Sequence, residues 1–430
     1  MSQWSADKLH KHIEEIGDLD LFHDIYGDGE DYQLALVRIS GLLENADFEA
    51  THLFSAPGRT ELGGNHTDHN LGRVVCAAVR HDTLAAVVGR DDGKIVIKSD
   101  GFSGIFNIDI SDLNPRSSEI GKTDALIRGV LAGIKESGGE IGGFSAQVTS
   151  LVGVGSGLSS SASFEVLIGT IINNLYNDDE LAPENIAQIG QFAENTYFGK
   201  PCGLMDQIAS AVGGILSIDF KDPENLDIKK ISHDFESENY VLLVVNTGSC
   251  HADLTPAYAS IPQEMGEVAM ELGAEVLGLV EEQKFFENIT SIRSKLGDRA
   301  VLRALHFYHE NKRVDEMVLA LQSGEFDTYL KNVSASGASS QNILQNSIPP
   351  NSDGMDQGLN FALGLSQLFF EDKGRGVARV HGGGFAGTIQ AYIHKGDIEE
   401  YKGLIKSILG DKAFQILKIR HHGATLISEL

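Results

Sequence analysis

The most informative segment of the chain is "LVGVGSGLSSSASFEVLIGTIINNLY", residues 151–176. It begins with alternating glycines at positions 153, 155 and 157, continues with serines at 159–161, and ends in a long apolar run. The first turn of a helix carries unpaired N–H groups and a partial positive charge. Glycines allow such a backbone to approach a ligand closely, and serine hydroxyls add hydrogen-bond donors. The segment therefore predicts a phosphate-binding turn at the start of a buried helix.

The same pattern also has a simpler interpretation, which is a glycine–serine turn with an N-cap serine. It is not a Walker A loop, because G-x-x-x-x-G-K-[ST] does not occur in the chain. It is not a clean dinucleotide fingerprint either, because position 158 is leucine and glycine does not recur at the required offset. Phosphate binding therefore needs support from other segments.

Helical and strand-type patterns alternate irregularly along the rest of the chain. The spacing of apolar residues predicts helices at 4–16, 32–44, 122–137, 162–176, 183–198, 262–282 and 299–322. Short β-type runs predict strands, with "THLFSAPGRTELGG" (51–64) broken at Pro57–Gly58 and "RVVCAAV" and "TLAAVVGR" as separate strands. Because strands and helices do not form regular βαβ units, the sequence predicts an α+β class.

Chain length and charge set the broad class. The 430 residues are too many for one ordinary core, so two domains are expected, with a boundary near 215–230. Lys and Arg total 34 against 61 Asp and Glu, which gives a formal net charge of −27. Such a surface repels phosphate backbones and anionic lipids, so neither nucleic acid nor a membrane is an expected partner.

Cysteine usage and the N-terminal segment indicate a compartment. The three cysteines, Cys76, Cys202 and Cys250, fit neither a disulfide framework nor a zinc site. The segment "MSQWSADKLHKHIEEIG" is charged and amphipathic and lacks the core of a signal peptide. No apolar run approaches the roughly 18 residues of a membrane span. We therefore expect a cytoplasmic protein with a small-molecule partner, and a monomer is slightly favoured.

Two further segments carry dense polar groups. The first, "SAPGRTELGGNHTDHNLG" (55–72), combines Arg59, Asn65, His66, Asp68 and His69 in one glycine-flanked turn. Such a density of hydrogen-bonding groups suits a polyhydroxylated ligand. The second, "GKPCGLMDQIASAVGG" (199–214), places Asp206 in an otherwise apolar context, where it is either a helix cap or a desolvated catalytic group.

Together these segments resemble the galactokinases of the GHMP sugar-kinase superfamily. The 55–72 segment resembles the galactokinase signature, "GSGLSSSAS" the ATP loop, "GKPCGLMDQ" the stretch with the catalytic aspartate, and "RVHGGGFAG" the third motif. The resemblance implies a two-domain GHMP kinase fold. Residues 1–50 would be a helical extension, 51–220 a ribosomal protein S5 domain 2-like domain with the sugar signature and the ATP loop, and 221–430 a ferredoxin-like domain. It also implies ATP-dependent phosphorylation of galactose to galactose 1-phosphate in the cleft between the domains.

The resemblance implies a role for each matching residue. Asp206 would accept the proton of the anomeric hydroxyl, and Arg59 would keep Asp206 ionised and stabilise developing charge. Six residues would line the phosphates of ATP: Gly153, Gly155, Gly157, Ser159, Ser160 and Ser161. A Ser161–Glu194 pair would bind Mg²⁺, which takes few protein oxygens.

The sugar contacts implied by the resemblance are Asn65, His66, Asp68, Gly203 and Tyr258. Asp68 could accept from two neighbouring hydroxyls, which favours the galacto configuration. Asn65 replaces a glutamate that contacts the sugar around O6, so galacturonate and N-acetylgalactosamine are alternative acceptors. Three other positions depart from the usual pattern: His69 replaces tyrosine, Gly153 proline and His381 threonine.

Rival classes have weaker signals. A metal-dependent hydrolase could use "HTDH" (66–69) with distant histidines such as His251, His381, His421 or His422. The lipase-like "HGGGF" (381–385) lacks the downstream G-x-S-x-G elbow that esterase chemistry requires. A non-catalytic sugar sensor on the same fold is a third alternative. The presence of Arg59, Asp206, Ser161 and Glu194 argues against it.

Overall fold

The computed structural model of the chain describes residues 5–17, 19–102, 104–153, 155–249, 254–350 and 354–430. A first, eight-stranded sheet contains β1 (His52–Gly63), β2 (Arg73–Arg90), β3 (Lys94–Ser99), β4 (Ile105–Asp109), β5 (Gly143–Ser150), β6 (Ile215–Asp219), β7 (Asp227–Ile231) and β12 (Thr425–Glu429). Its main path runs β12-β1-β2-β5-β3-β4, and β6 pairs with both β2 and β7. Only β3 and β5 pair in parallel within this sheet, and the other pairs given for it are antiparallel.

Both faces of the first sheet are covered at its centre. The covering helices are α1 (Ala6–Ile16), α2 (Leu19–Tyr26), α3 (Glu30–Asn45), α4 (Thr123–Glu136), α5 (Ser160–Tyr176), α6 (Pro183–Phe192) and α7 (Met205–Val212). Side chains alternate along each strand. Phe54 and Ala85 therefore pack with α4 and α5, whereas Leu53 and Leu84 pack with the N-terminal helices. Burial on both faces explains why these strands are almost continuously apolar.

The second sheet has the predicted ferredoxin-like arrangement. Its strands β8 (Tyr240–Asn246), β9 (Val377–Val380), β10 (Thr388–His394) and β11 (Phe414–Ile416) are ordered β11-β8-β10-β9. Helices α12 (Gly358–Lys373) and α13 (Ile398–Leu409) complete a β–α–β–β–α–β pattern and pack on the sheet. The helices inserted after β8 are α8 (Thr255–Glu271), α9 (Glu282–Leu296), α10 (Asp298–Ser323) and α11 (Phe326–Ser339).

Two predicted strand boundaries are wrong. β1 continues through Pro57–Gly58, and β2 is one strand of 18 residues rather than two. β12 pairs with β1 only as far as Ser55. Pro57 lies beyond that ladder, so its lack of an N–H removes no hydrogen bond to β12. The register with β2 shifts between Pro57 and Arg59, which is a bulge that accommodates the proline.

Several other sequence predictions concern element ends and cysteines. The helix predicted at 262–282 ends at Glu271, because Gly273 follows with a φ of 80°. Strands β7 and β12 both lie beyond residue 220 yet join the first sheet. The domain boundary predicted near residue 220 stays a prediction. Cys76 and Cys202 are free, and Cys250 and His251 lie outside the described residues. Within the described ranges, no helix is long and apolar enough to span a membrane.

A buried ionic cluster fixes the N-terminal helices to the sheet. Asp82, in the middle of β2, accepts hydrogen bonds from the hydroxyl of Tyr26 at 2.8 Å, from Nη1 of Arg38 at 2.7 Å and from Oγ of Ser55 at 2.6 Å. Nη1 of Arg420 donates to the same serine at 2.6 Å and lies 3.7 Å from Oδ2 of Asp82. Since Asp82 is fully buried, its charge is balanced only by these neighbours. The N-terminal extension is therefore an integral layer of the fold.

We expect Asp82→Asn to lower the free energy of unfolding by about 3–5 kcal/mol, because it leaves two arginines without their buried partner. The measurement is equilibrium unfolding in urea, with Asp315→Asn as the control. Asp315 pairs with Arg73 at 2.7 Å but is 51% exposed, so that change should cost less than about 1 kcal/mol. Equal effects of the two substitutions would contradict the prediction.

The contribution of Asp82 also has a defined pH dependence. Burial alone would raise the pKa of this carboxyl, but Arg38 and Arg420 outweigh it and lower the pKa below its ordinary value. A carboxyl whose pKa is lowered in the folded state contributes its full stabilisation of the fold when the pH is above its ordinary pKa. This contribution is lost as the pH falls from the ordinary pKa through the lower folded-state pKa.

Candidate active site

A bidentate ion pair lies at the centre of the site. Arg59, in the middle of β1, donates from Nε to Oδ1 of Asp206 at 2.6 Å and from Nη2 to Oδ2 at 2.8 Å. Asp206 lies in the first turn of α7, where the helix dipole favours a carboxylate. Burial alone would raise the pKa of Asp206, but the adjacent guanidinium outweighs it and lowers the pKa below its ordinary value. The structure thus brings the two residues predicted to be catalytic into direct contact.

The glycine–serine segment meets this pair at the start of α5. Ser159 has a φ of 59° and immediately precedes the first helical residue, Ser160. Its Oγ donates to Oδ2 of Asp206, while Nη1 of Arg59 donates to the carbonyl oxygen of Gly157 at 2.5 Å. No side-chain hydrogen bond from Ser159 caps the helix. The leading amides of α5 are therefore oriented for an anion beside the ion pair.

Two of the predicted phosphate-binding glycines are required by the backbone. Gly155 and Gly157 have φ angles of 76° and 75°, which other residues rarely adopt. A Cβ atom on Gly157 would also lie 2.2 Å from Oγ1 of Thr388 and 2.7 Å from Nδ1 of His381. The carbonyl oxygen of Gly153 accepts from Oγ of Ser156 at 2.6 Å, which closes the turn.

The predicted Mg²⁺ ligands face one another. Oγ of Ser161 donates to Oε1 of Glu194 at 3.1 Å, and Glu194 lies in a π-helical segment, Ala193–Phe198, that extends α6. A hydroxyl and a carboxylate in this arrangement fit a cation that takes most of its ligands from phosphate and water. Nζ of Lys200 also donates to Oε1 of Glu194, at 2.9 Å. Lys200, which lies in the quoted 199–214 segment but was given no role there, therefore adds a positive charge beside Glu194.

A buried amide connects the metal pair to the helix that carries Asp206. Nε2 of Gln207 donates to Oε2 of Glu194 and to Oε2 of Glu165, in both cases at 3.1 Å. Burial and the nearby Glu194 raise the pKa of Glu165 well above its ordinary value. Gln207 and Glu165 were not predicted, although both lie inside quoted motifs.

Asp68 and Gly203 are in direct contact. A Cβ atom on Gly203 would lie only 1.7 Å from Oδ2 of Asp68. The carboxylate itself is held by the backbone N–H of His69, which donates to Oδ1 at 3.0 Å. A cavity of about 280 Å³ opens beside them and is also lined by Cys202 and Leu226. The glycine thus makes room for the carboxylate that the sequence assigned to sugar recognition.

Three predicted sugar contacts bind consecutive carbonyl groups of the third glycine motif. Nδ2 of Asn65 donates to the carbonyl oxygen of Gly382 at 2.7 Å, Nε2 of His66 bonds to that of Gly383 at 2.9 Å, and the hydroxyl of Tyr258 donates to that of Gly384 at 3.1 Å. Burial lowers the pKa of His66 to about 3, so the ring is neutral and Nε2 is the donor.

His381 connects the ATP loop to both sheets. Its Nε2 lies 3.1 Å from Oγ1 of Thr60 on β1, and its Nδ1 lies 3.1 Å from Oγ1 of Thr388 on β10. Burial, together with the nearby Arg59 and Arg379, lowers the pKa of His381 well below its ordinary value. Both ring nitrogens are engaged by hydroxyl groups, so this histidine holds structure together rather than reaching toward a metal.

Two family descriptions match the chain. "GHMP kinases N terminal domain" matches residues 125–214, and "Galactokinase galactose-binding signature" matches residues 45–88. The first range contains the glycine–serine segment and Asp206, and the second contains Arg59 and Asp68.

Known relatives cover most of the chain. A galactokinase from Streptomyces coelicolor is 32% identical over 354 residues, which are 82% of this chain and 87% of the relative. A galactokinase from Lacticaseibacillus paracasei is 32% identical over 370 residues, or 84% and 90% of the two chains.

Solved structures show the same fold. The galactokinase of Lactococcus lactis in complex with galactose superposes with a TM-score of 0.75 and 22% identity, covering 94% of this chain and 98% of that one. The mevalonate kinase of Methanococcus jannaschii superposes with a TM-score of 0.59 and 16% identity, covering 87% and 99%.

Proposed function

The chain belongs to the galactokinase family, and we propose that its candidate active site transfers the terminal phosphoryl group of ATP to the anomeric hydroxyl of galactose. The observation that supports this most directly is the bidentate pair of Arg59 and Asp206 beside the first turn of α5. The pair combines a carboxylate that can take a proton with a guanidinium that can stabilise charge. The helix amides beside it can bind phosphate.

The proposed reaction is a direct displacement at the γ-phosphorus. The anomeric oxygen forms a bond to phosphorus, the bond to the β–γ bridging oxygen breaks, and ADP leaves. The proton of the hydroxyl passes to Asp206, which the adjacent Arg59 keeps ionised. Arg59 lies beside the charge that develops on the transferred group, and the leading amides of α5 bind the phosphates.

Ser161 and Glu194 would hold Mg²⁺ in this scheme. Their oxygens lie 3.1 Å apart at the start of α5, and a hydroxyl–carboxylate pair is the kind of oxygen donor set that the ion prefers. The ion would neutralise charge on the phosphates of ATP. Gln207 and Lys200, which both bond to Glu194, fix the orientation of its carboxylate.

A second acceptor is supported by the cavity beside Asp68 and Gly203. In the proposed complex the anomeric carbon lies at Asp206 and a vicinal hydroxyl pair at Asp68, so the intervening C2 edge of the sugar faces Gly203. A cavity of about 280 Å³ opens beside this glycine, although neither Arg59 nor Asp206 lines it. We therefore keep N-acetylgalactosamine as the alternative acceptor, because an acylamino group on C2 would point toward Gly203.

Galacturonate has less support than the sequence suggested. Asparagine at position 65, in place of the usual glutamate, removes a negative charge near C6, which would favour an acceptor with a carboxylate there. However, Nδ2 of Asn65 lies 3.1 Å from both carboxylate oxygens of Glu61, and Arg379 already pairs with that carboxylate. An asparagine held in this way offers no cation to a substrate carboxylate.

The test is release of ADP by the purified protein with Mg-ATP and each of galactose, N-acetylgalactosamine, galacturonate and glucose. We expect turnover with galactose, with the phosphate on C1 by NMR, and we expect no turnover when Mg²⁺ is omitted. Absence of sugar-dependent ADP release would favour the non-catalytic sensor and contradict the proposal. A cytoplasmic location and a monomeric state, both expected from the sequence, are proposed alongside it.

A further inference from the structure

Asn65 is buried and its amide group is fully used within the protein. Its side chain is 1% exposed. Nδ2 donates to the carboxylate of Glu61 and to the carbonyl oxygen of Gly382, at 3.1 and 2.7 Å. Oδ1 accepts from Nδ2 of Asn346 at 2.8 Å and from Oγ of Ser340 at 3.2 Å. These bonds use both donor hydrogens and both acceptor lone pairs of the amide.

The orientation of the amide is set by its neighbours. Glu61 is buried against Arg379, with which it forms an ion pair. Its ionised carboxylate only accepts hydrogen bonds, so the nitrogen of Asn65 must face it. The oxygen of Asn65 then faces the two donors on the opposite side, Asn346 and Ser340.

The same amide reaches the loop above the ion pair. A Cβ atom on Gly382 would lie 4.0 Å from Nη2 of Arg59, so the glycine motif lies next to the catalytic guanidinium. Asn346 also donates from Nδ2 to the carbonyl oxygen of Gly383 at 3.2 Å. Asn65 and Asn346 therefore hold adjacent peptide groups of one loop, which we call the 382–384 loop.

We propose that Asn65 is a positioning residue that fixes the 382–384 loop against Arg59, and that it does not contact O6 of the sugar. The proposal rests on the proposed function for the identity of the substrate, but the hydrogen-bond network stands independently of it. It also assigns Asn346, which no motif contains, to the same task.

The kinetic test compares galactose with 6-deoxygalactose in Asn65→Ala. A positioning role predicts that kcat falls by about 10–100-fold for both sugars, because a misplaced loop affects every substrate alike. The ratio of the two kcat/KM values should stay within about twofold of its wild-type value. A direct contact with O6 predicts instead a loss for galactose that disappears with 6-deoxygalactose, which would overturn the proposal.

A second variant and a matched control separate positioning from stability. Asn346→Ala should lower kcat similarly. The kcat of the double variant should be no lower than that of the more impaired single variant, since both residues act through one loop. Asn173→Ala is the control, because Asn173 is another buried asparagine, which bridges the backbone of Leu181 far from the loop. It should lower the unfolding temperature but leave kcat per folded molecule near the wild-type value. Additive kinetic losses in the double variant would contradict the shared role.

Amide hydrogen exchange tests the positioning role of Asn65 even if the wild-type protein phosphorylates neither sugar. Amide hydrogen exchange in peptides spanning residues 380–387 should become faster in Asn65→Ala and in Asn346→Ala, but not in Asn173→Ala. Unchanged exchange in this segment would overturn the proposal whatever the substrate is. If Asn65→Ala does not fold, Asn346→Ala carries both measurements.

Discussion

Asp206→Asn is expected to reduce kcat by on the order of 10³-fold or more while the fold persists. The asparagine keeps the volume of the side chain but cannot take the proton of the sugar hydroxyl. It also leaves Arg59 without the charge that it contacts at 2.6 and 2.8 Å. The measurement is the rate of ADP release at saturating galactose and Mg-ATP, with the far-UV circular dichroism compared with that of the wild-type protein.

Asp219→Asn is the matched control for this substitution. Asp219 on β6 also accepts from an arginine Nε, that of Arg73 at 2.7 Å, but neither residue is among those assigned to ATP, Mg²⁺ or the sugar. The control variant should keep near-native kcat. If Asp206→Asn turns over sugar at a rate close to the wild type, the assignment of this aspartate is wrong.

The pH profile provides an independent test of the same pair. Because Arg59 lowers the pKa of Asp206 below its ordinary value, the carboxylate is ionised throughout the neutral range. We expect kcat/KM to show no falling limb from this group until the pH drops below that ordinary value. A falling limb of the kcat/KM profile that is centred between pH 5 and 7 and belongs to Asp206 would contradict this prediction.

Gly203→Ala is expected to lower kcat/KM for galactose by about 100-fold. The φ of Gly203 is outside the left-handed region, so alanine is compatible with the backbone. Its methyl group would, however, lie 1.7 Å from Oδ2 of Asp68. The carboxylate must then rotate away from the position where it can accept from two sugar hydroxyls. The effect should appear mainly in the KM for sugar, with little change in the KM for ATP.

Gly41→Ala is the control for the added methyl group. A Cβ atom at Gly41, within α3, would meet nothing within 4 Å, so this substitution should be neutral or slightly stabilising. Equal kinetic constants for Gly203→Ala and the wild type would show that Asp68 has no role in sugar binding. A rise in the KM for ATP instead would indicate that Gly203 belongs to the nucleotide side.

Which residues make up the candidate site was largely predictable, because most of them lie in local motifs. Arg59, Asp206 and the glycine–serine segment each lie in a short stretch whose composition indicates anion binding or a desolvated charge. The strand β1 was harder to predict, since Pro57–Gly58 is a turn signal in isolation. Its continuity depends on a bulge and on a neighbouring strand that ends at Ser55.

Contacts between distant residues that the family resemblance did not imply were beyond sequence reasoning. Asn65 and Asn346 are 281 positions apart, and neither asparagine alone indicates an amide pair. Similarly, "RHD" at 80–82 resembles a turn between two strands. The buried partners of Asp82 on the N-terminal helices and near the C-terminus make that segment part of one long strand.

The return of β12 to the first sheet affects how the protein is made. A ribosome delivers residues 425–429 long after residues 52–55, so the edge of β1 from His52 to Ser55 lacks its β12 neighbour until that late segment has emerged. Arg420, which bonds to Ser55, is equally late. An unpaired strand edge invites association with other chains. The first sheet is thus completed only after residue 429 has emerged, and nascent chains are the form in which we expect chaperones to matter most.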